Sequence, residues 1–330
     1  MKGVLLATST VIVWALLNII NRFCVLKYDI NIIVFTSFMI FATGVSLLMI
    51  RKQVTPENWK KGIKYSWLYT GMQIIRSFTM ISTFLYITPT ETSLLFNIEV
   101  VIAYILAYAI FKRIPYRGDY AGILVILSGF ILFVSALSAD IRPTVVLLVM
   151  VSATASCIRS IVVEKTTLGN PDTSIRQKCG ISGFTLFYGG LSLIGFFFSL
   201  ALLKHLLPEQ HPNLFYRFLS HLPSLSEMVH PATIISACLT GLCINAATTV
   251  LYYATLKFST SEIFMTIRAF QPVLTFLFEL LAATAYAAMR PRLSTLDYIY
   301  GGLLVIGSLL ILIVPSHGSY THQSKDFITD

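Results

Sequence analysis

Ser66–Ile87 reads SWLYTGMQIIRSFTMISTFLYI, and its single charge is Arg76. A helix crossing a hydrocarbon core needs about 20 mostly apolar residues, and this run supplies them. An ionisable side chain at bilayer depth costs about 2.5–3.5 kcal/mol on insertion scales, so it is kept there for a function or a partner. Glu99 and Arg268 interrupt two further apolar runs in the same way. A membrane protein with charges inside its spans is the first reading of this chain.

The composition agrees. The chain has 330 residues, of which 56% are hydrophobic and 12% charged, with a mean hydropathy of +0.77. A soluble domain carries about 25% charged residues, and this chain has too few to cover one soluble core. The net charge of +9 is spread over short loops rather than gathered into a patch interleaved with aromatics, which argues against nucleic acid as a partner. Cys24, Cys157, Cys179, Cys238 and Cys243 show no metal-ligand spacing and read as small core residues; no metal or cofactor is expected. The first run follows Met1 and Lys2, contains Trp14 and Asn18 and lacks a small-residue cleavage site, so it reads as a retained span.

Ten runs have spanning length: 3–22, 31–50, 66–87, 92–111, 118–137, 143–163, 181–203, 232–256, 262–284 and 297–315. With Lys2 inside, the groups Arg51–Lys52, Lys60–Lys64 and Lys112–Arg117 fall on the cytoplasmic side. That side then holds about twice as many basic loop residues as the other, so both termini are expected in the cytoplasm. Arg290 and Arg292 run against the rule. Ten helices with short loops suit a bacterial inner membrane.

The halves resemble each other. A basic turn precedes Asp119-Tyr120 at the start of run five, and Arg290 and Arg292 precede Asp297-Tyr298 at the start of run ten. Gly129 and Gly307 each follow ten residues later. A repeated unit of five spans enters the membrane in opposite senses, an arrangement typical of secondary transporters with the substrate at the repeat interface. The expected fold is therefore an all-α membrane protein of ten transmembrane helices in two inverted five-helix repeats. The repeats are 1–140 and 141–318, with a cytoplasmic tail over 319–330. The longest loop, 204–231, carries His205, His211, His221 and His230 at spacings that fit no single helix face. Leu214, Phe215, Phe218, Leu219 and Leu222 in it are spaced as a short interfacial helix.

Polar residues concentrate in six runs. Run one places Trp14, Asn18 and Asn21 on one face. Run three does so with Gln73, Arg76, Met80 and Thr83. Run four holds Asn97 and Glu99, and run six Ser152, Ser156 and Arg159. Run eight holds Asn245, Thr248, Thr249, Tyr252 and Tyr253, and run nine Arg268, Gln271, Pro272 and Thr275. These stripes are expected to meet around a wet centre, with runs two, five, seven and ten at the lipid or packed as a rim. The substrate-binding set is Arg76, Arg268, Glu99, Asn97, Gln271, Asn18, Trp14, Asn245, Tyr253 and Arg159. Alternatives stay open at several of them. Asn18, Asn245 and Gln271 also fit interhelical hydrogen bonding, and Arg159 also fits snorkelling to the headgroups from one turn inside its span. Glu99 fits either a neutralising partner of Arg76 or Arg268 or a protonatable coupling residue. Pro272 is expected to kink run nine, while Val100 at the equivalent place leaves run four less bent.

With these features in place, the chain resembles the drug/metabolite transporter superfamily, in particular the ten-helix EamA-type proteins. Phe270-Gln271-Pro272-Val273 is similar to the family's polar-then-proline element in the fourth helix of each repeat, with Ile98-Glu99-Val100 as its partner. The glycine-bearing last helices, Gly122 to Gly129 and Tyr300 to Gly307, are the second point of likeness. Lys112-Arg113 stands where the family often has Glu, and the first half lacks the proline. The resemblance implies a central cavity, alternating access and substrates such as amino acids, nucleotide sugars, phosphorylated sugars, vitamins and S-adenosylmethionine.

The expectation is a secondary transporter for a small anionic or zwitterionic metabolite, amino acid-like or S-adenosylmethionine-like, with possible proton or counter-substrate coupling and the lipid bilayer as its surroundings. An intramembrane lipid-modifying enzyme is the main alternative class, but all six His lie outside the runs and no nucleophile has a base beside it. A non-transporting membrane receptor is the third reading.

Overall fold

The computed structural model describes residues 2–52, 56–169, 173–206, 222–291 and 293–313, and among them every regular element is helical. α1 is Lys2–Tyr28, α2 Ile32–Met49, α3 Pro56–Thr83, α4 Pro89–Leu95, α5 Ile98–Phe111, α6 Arg117–Ala136, α7 Arg142–Gly169 and α8 Ile175–Leu206. A short α9, Leu225–Met228, precedes α10, Pro231–Leu239, which passes through a π-helical stretch, Thr240–Asn245, into α11, Ala246–Phe258. α12 is Ser261–Arg268, α13 Gln271–Ala285 and α14 Thr295–Ile313. The tail, Arg292 and the proposed interfacial helix around Leu214–Leu219 lie outside the described residues.

Eight helical segments are long and apolar enough to cross a membrane, counting α4–α5, α9–α11 and α12–α13 each as one. α14 is apolar but shorter. α3 is long, but its Ser66–Thr83 stretch holds Tyr69, Gln73, Arg76 and several Ser and Thr residues, so it is not apolar enough for that count.

Packing is pairwise. α2 lies against α8, α6 against α14, α3 against α7, and α1 against α11; α4 meets α13, and α5 meets α12. In lipid, helices associate through close backbone contact at small residues. A Cβ on Gly122 of α6 would sit 2.5 Å from the Gly307 carbonyl oxygen of α14, so these backbones touch where the sequence places a glycine in each last helix. Gly44 of α2 meets α8 equally closely, its Cβ position lying 2.3 Å from the Phe187 nitrogen.

The matched Asp-Tyr pairs have a local cause. Asp119 accepts from the Tyr116 backbone N–H (2.8 Å) and Asp297 from that of Ser294 (2.7 Å), so each aspartate closes the N-terminus of its helix.

Run nine breaks beside Pro272 as expected, but run four is broken too, so the expected asymmetry does not hold. α12 stops at Arg268 and α13 restarts at Gln271, with Pro272 in its first turn, which has no N–H to lose there. α4 stops at Leu95 and α5 restarts at Ile98 without any proline. There the Glu99 and Val100 N–H groups turn back to the Phe96 and Asn97 carbonyls (2.9 and 3.1 Å), tightening the chain from α-type to i→i+3 bonding. Val273 makes the same bond to Phe270 (3.2 Å). The break is a property of both helices rather than of the proline.

Candidate functional site

The two breaks face each other across the middle of the bundle, and the buried charges gather around them. Trp14 of α1 is the common wall. The guanidinium carbons of Arg268, Arg76 and Arg159 lie 4.3, 5.0 and 5.5 Å from its ring centroid. All four residues are 2–4% exposed. Tyr252 and Phe264 pack tilted on Trp14 at 5.6 and 5.5 Å and fix the indole in place.

The three arginines arrive from different helices. Arg268 ends α12 and pairs with Glu99 in the first turn of α5. It also donates through Nε to Gln271 Oε1 (3.0 Å) and through Nη1 to Ser156 Oγ (3.1 Å). Ser156 in turn donates to Glu99 Oε2 (3.2 Å), so α5, α7, α12 and α13 are joined at one point. Arg159 of α7 donates to Gln73 of α3 and stacks over Tyr252 (4.7 Å) and Tyr69 (5.6 Å). Arg159 is thus drawn inward by α3, α11 and Trp14, and the snorkelling alternative does not hold. Arg76 stands over Trp14 with Ser152 bonded to its carbonyl (3.4 Å). Among the described residues, neither Arg76 nor Arg159 has a carboxylate within ion-pair distance.

A narrow recess lies beside the pair, lined by Ser93, Phe96, Asn97, Glu99, Met265, Arg268, Ala269 and Gln271. Several polar atoms around the site are buried and find no hydrogen-bond partner in the protein. They are Arg76 Nε, Arg159 Nε and Nη2, Arg268 Nη2, Asn97 Nδ2, Gln271 Nε2 and Glu99 Oε1. Buried polar atoms are rarely left so.

The remaining sequence-stripe residues divide. Asn18 donates to Ser93 Oγ (3.4 Å), whose hydroxyl meets Thr275 (3.2 Å), so it braces the cavity wall from behind. Asn245 is engaged elsewhere: it donates to Thr43 of α2 (2.9 Å) beside the π-helical stretch. Tyr253 bonds Ser182 and stacks on Tyr69 (5.7 Å). Those three residues line a second cavity with Tyr65, Ser66 and Lys178, and Tyr69 touches both it and Arg159. Tyr69 and Gln73 follow from the helical spacing to Arg76; Phe96 and Met265 carry no signal before the fold is known.

Each end of the bundle is tied by a charge. Arg113, in the loop after α5, pairs with Glu164 of α7 (2.6 Å) and Glu262 of α12 (3.0 Å). Burial works against the Arg113 charge, but the two carboxylates outweigh it and hold the guanidinium above its ordinary range. Glu164 also accepts from the Ser261 N–H (2.9 Å), capping α12. At the other end Glu279 of α13 accepts from the N–H of Thr90 (3.3 Å) and from its hydroxyl, holding the start of α4.

Residues 1–135 match the EamA-like transporter family. No curated protein matches the chain in sequence. One solved structure, described only as the crystal structure of a protein, matches with a TM-score of 0.56 over 96% of this chain and 99% of its own, at 14% identity, which speaks to fold alone. The apolar helices make this a multi-pass integral membrane protein, and the family match over residues 1–135 supports the resemblance to EamA-type transporters read from the sequence.

Proposed function

We propose that the protein is a secondary transporter that moves a small anionic or zwitterionic metabolite by alternating access, with the Arg76–Arg159–Arg268–Glu99–Trp14 cluster as its binding site. One observation carries the reading: three buried guanidinium groups surround a single indole where two broken helices meet, and one of them is paired with the Glu99 carboxylate. Irregular backbone at membrane depth is tolerated where it lines a cavity, and charge is tolerated where it serves one.

Ten spans in two inverted repeats account for the packing. If α7, α8, α9–α11, α12–α13 and α14 repeat α1, α2, α3, α4–α5 and α6, the contacts α2–α8, α6–α14 and α4/α5–α12/α13 are each symmetric. Under the same exchange α3–α7 becomes α11–α1. The two repeats, 1–140 and 141–318, would rock about the shared site, the Arg113 and Glu279 ties closing opposite ends in turn. In this reading both termini lie in the cytoplasm and the membrane is a bacterial inner membrane. Asn97 and Gln271 would orient the ligand, and Glu99 would hold Arg268 or exchange a proton as the ligand moves.

Uptake of labelled metabolites into proteoliposomes tests it. The expected result is saturable uptake that Arg76→Ala and Arg268→Ala abolish while the protein stays folded. Normal uptake by both variants would refute the site.

A further inference from the structure

We infer that the site takes a small dianion, an oxyanion such as a phosphate monoester or a dicarboxylate, in preference to a zwitterion. The inference rests on the transport reading above and narrows its substrate.

Charge counting gives the first argument. Arg76, Arg159 and Arg268 are guanidinium groups that stay protonated at any physiological pH. Each lies within 5.5 Å of the Trp14 ring centroid, so they form one group of three positive charges. Glu99 supplies one negative charge and spends it on Arg268. The other titratable groups facing the cluster are Tyr69, Tyr252 and Cys157, which carry no charge at neutral pH. Among the described residues, two positive charges are left without an anion. The stacking on Trp14, Tyr69 and Tyr252 recovers part of the cost, but a ring face does not neutralise a cation. A zwitterion such as an amino acid would add no net negative charge. A dianion would cancel the excess.

Hydrogen-bond capacity gives the second. The unpartnered buried atoms around the site include six donors: Arg76 Nε, Arg159 Nε and Nη2, Arg268 Nη2, Asn97 Nδ2 and Gln271 Nε2. Against them stands one acceptor, Glu99 Oε1. A ligand matched to this set is rich in acceptor oxygens and poor in donors. An ammonium group would have a single carboxylate oxygen to meet. Guanidinium forks also suit the paired oxygens of phosphate and carboxylate.

Thermal melting of the purified full-length protein tests this. Glycerol 3-phosphate and succinate are compared with lactate, alanine and glycerol at matched ionic strength and pH 7.5. The dianions should raise the melting temperature by several degrees, and lactate, alanine and glycerol should leave it in place. The phosphate monoester has a second pKa of about 6. Its stabilisation should therefore weaken at least tenfold in apparent affinity at pH 5, where it is a monoanion. A response to glycerol 3-phosphate alone or to succinate alone supports the inference and identifies which oxyanion the site takes. Stabilisation by lactate or alanine equal to that by the dianions would overturn it, as would an undiminished dianion response in Arg76→Gln and Arg159→Gln. The ligand-free variants give a readout independent of the probes. Removal of an unneutralised buried charge should let each melt above the wild type, and this comparison decides the matter if no dianion in the panel shifts the wild type. Variants that melt below it would show that the charge is already compensated, which overturns the inference. Alanine uptake into proteoliposomes by a protein that fails these melting tests would keep the transport reading and discard the dianion.

Discussion

Glu99→Gln tests how the centre is held together. The amide keeps the shape and can still take a hydrogen bond from Ser156, so packing is barely altered. What is lost is the only negative charge beside three guanidinium groups among the described residues, at a position 2% exposed. Breaking a buried pair by removing one partner typically costs about 3–5 kcal/mol, because the other charge stays buried and uncompensated. Arg76 and Arg159 already lack carboxylates here, so no nearby group can take over from Glu99, and the upper half of that range is expected. Replacing both partners, Glu99→Leu with Arg268→Met, removes the charge together with its partner. Such exchanges are commonly neutral or stabilising by about 1–4 kcal/mol. The assay is the fraction of monodisperse protein left after heating in detergent, run on the single variant, the double variant and the wild type. Glu99→Gln should melt several degrees lower and the double variant near or above the wild type. If Glu99→Gln melts with the wild type, the Glu99–Arg268 pair does not hold α5 to α12 and the electrostatic reasoning fails.

Gly122→Val should lower the melting temperature, since its Cβ would meet the Gly307 carbonyl oxygen at 2.5 Å and overpacking of a tight contact costs about 1–3 kcal/mol. Arg113→Ala leaves Glu164 and Glu262 facing each other without their cation; it should cost about 3 kcal/mol, the low end for a broken buried pair because Arg113 is 17% exposed, and the same melting assay reads it. In Trp59→Phe/Trp67→Phe, Trp14 is the one indole left. Its fluorescence should change when a transported ligand binds among the arginines, and a flat titration with such a ligand would place the site elsewhere.

The sequence already carried the membrane character, the depth of Arg76 and the gathering of polar faces, because these depend on run length and helical spacing. Arg159 was harder. The run ending at 163 put it near the headgroups, but α7 continues to Gly169 through Glu164 and Lys165, whose charge is matched at the bundle end by Arg113 in the first case. A buried carboxylate such as Glu164 looks like a span boundary to hydropathy when it is part of the packed interior. The break before Ile98 was also hidden. No proline marks it, and it is made by backbone bonds of Glu99 and Val100 that only the packed bundle selects. Conversely, the Asp119 and Asp297 matches that pointed to a repeat serve helix capping, a local need that recurs wherever such a helix starts.

Counterflow in proteoliposomes addresses the central claim most directly. Vesicles are loaded with an unlabelled metabolite, and entry of the labelled form is followed for the wild type and for Arg76→Ala, at a buried residue over Trp14. The account predicts rapid entry with the wild type and entry at the protein-free rate with Arg76→Ala, both proteins being folded and equally inserted. Equal counterflow by the two would contradict a transport site built around the buried arginines.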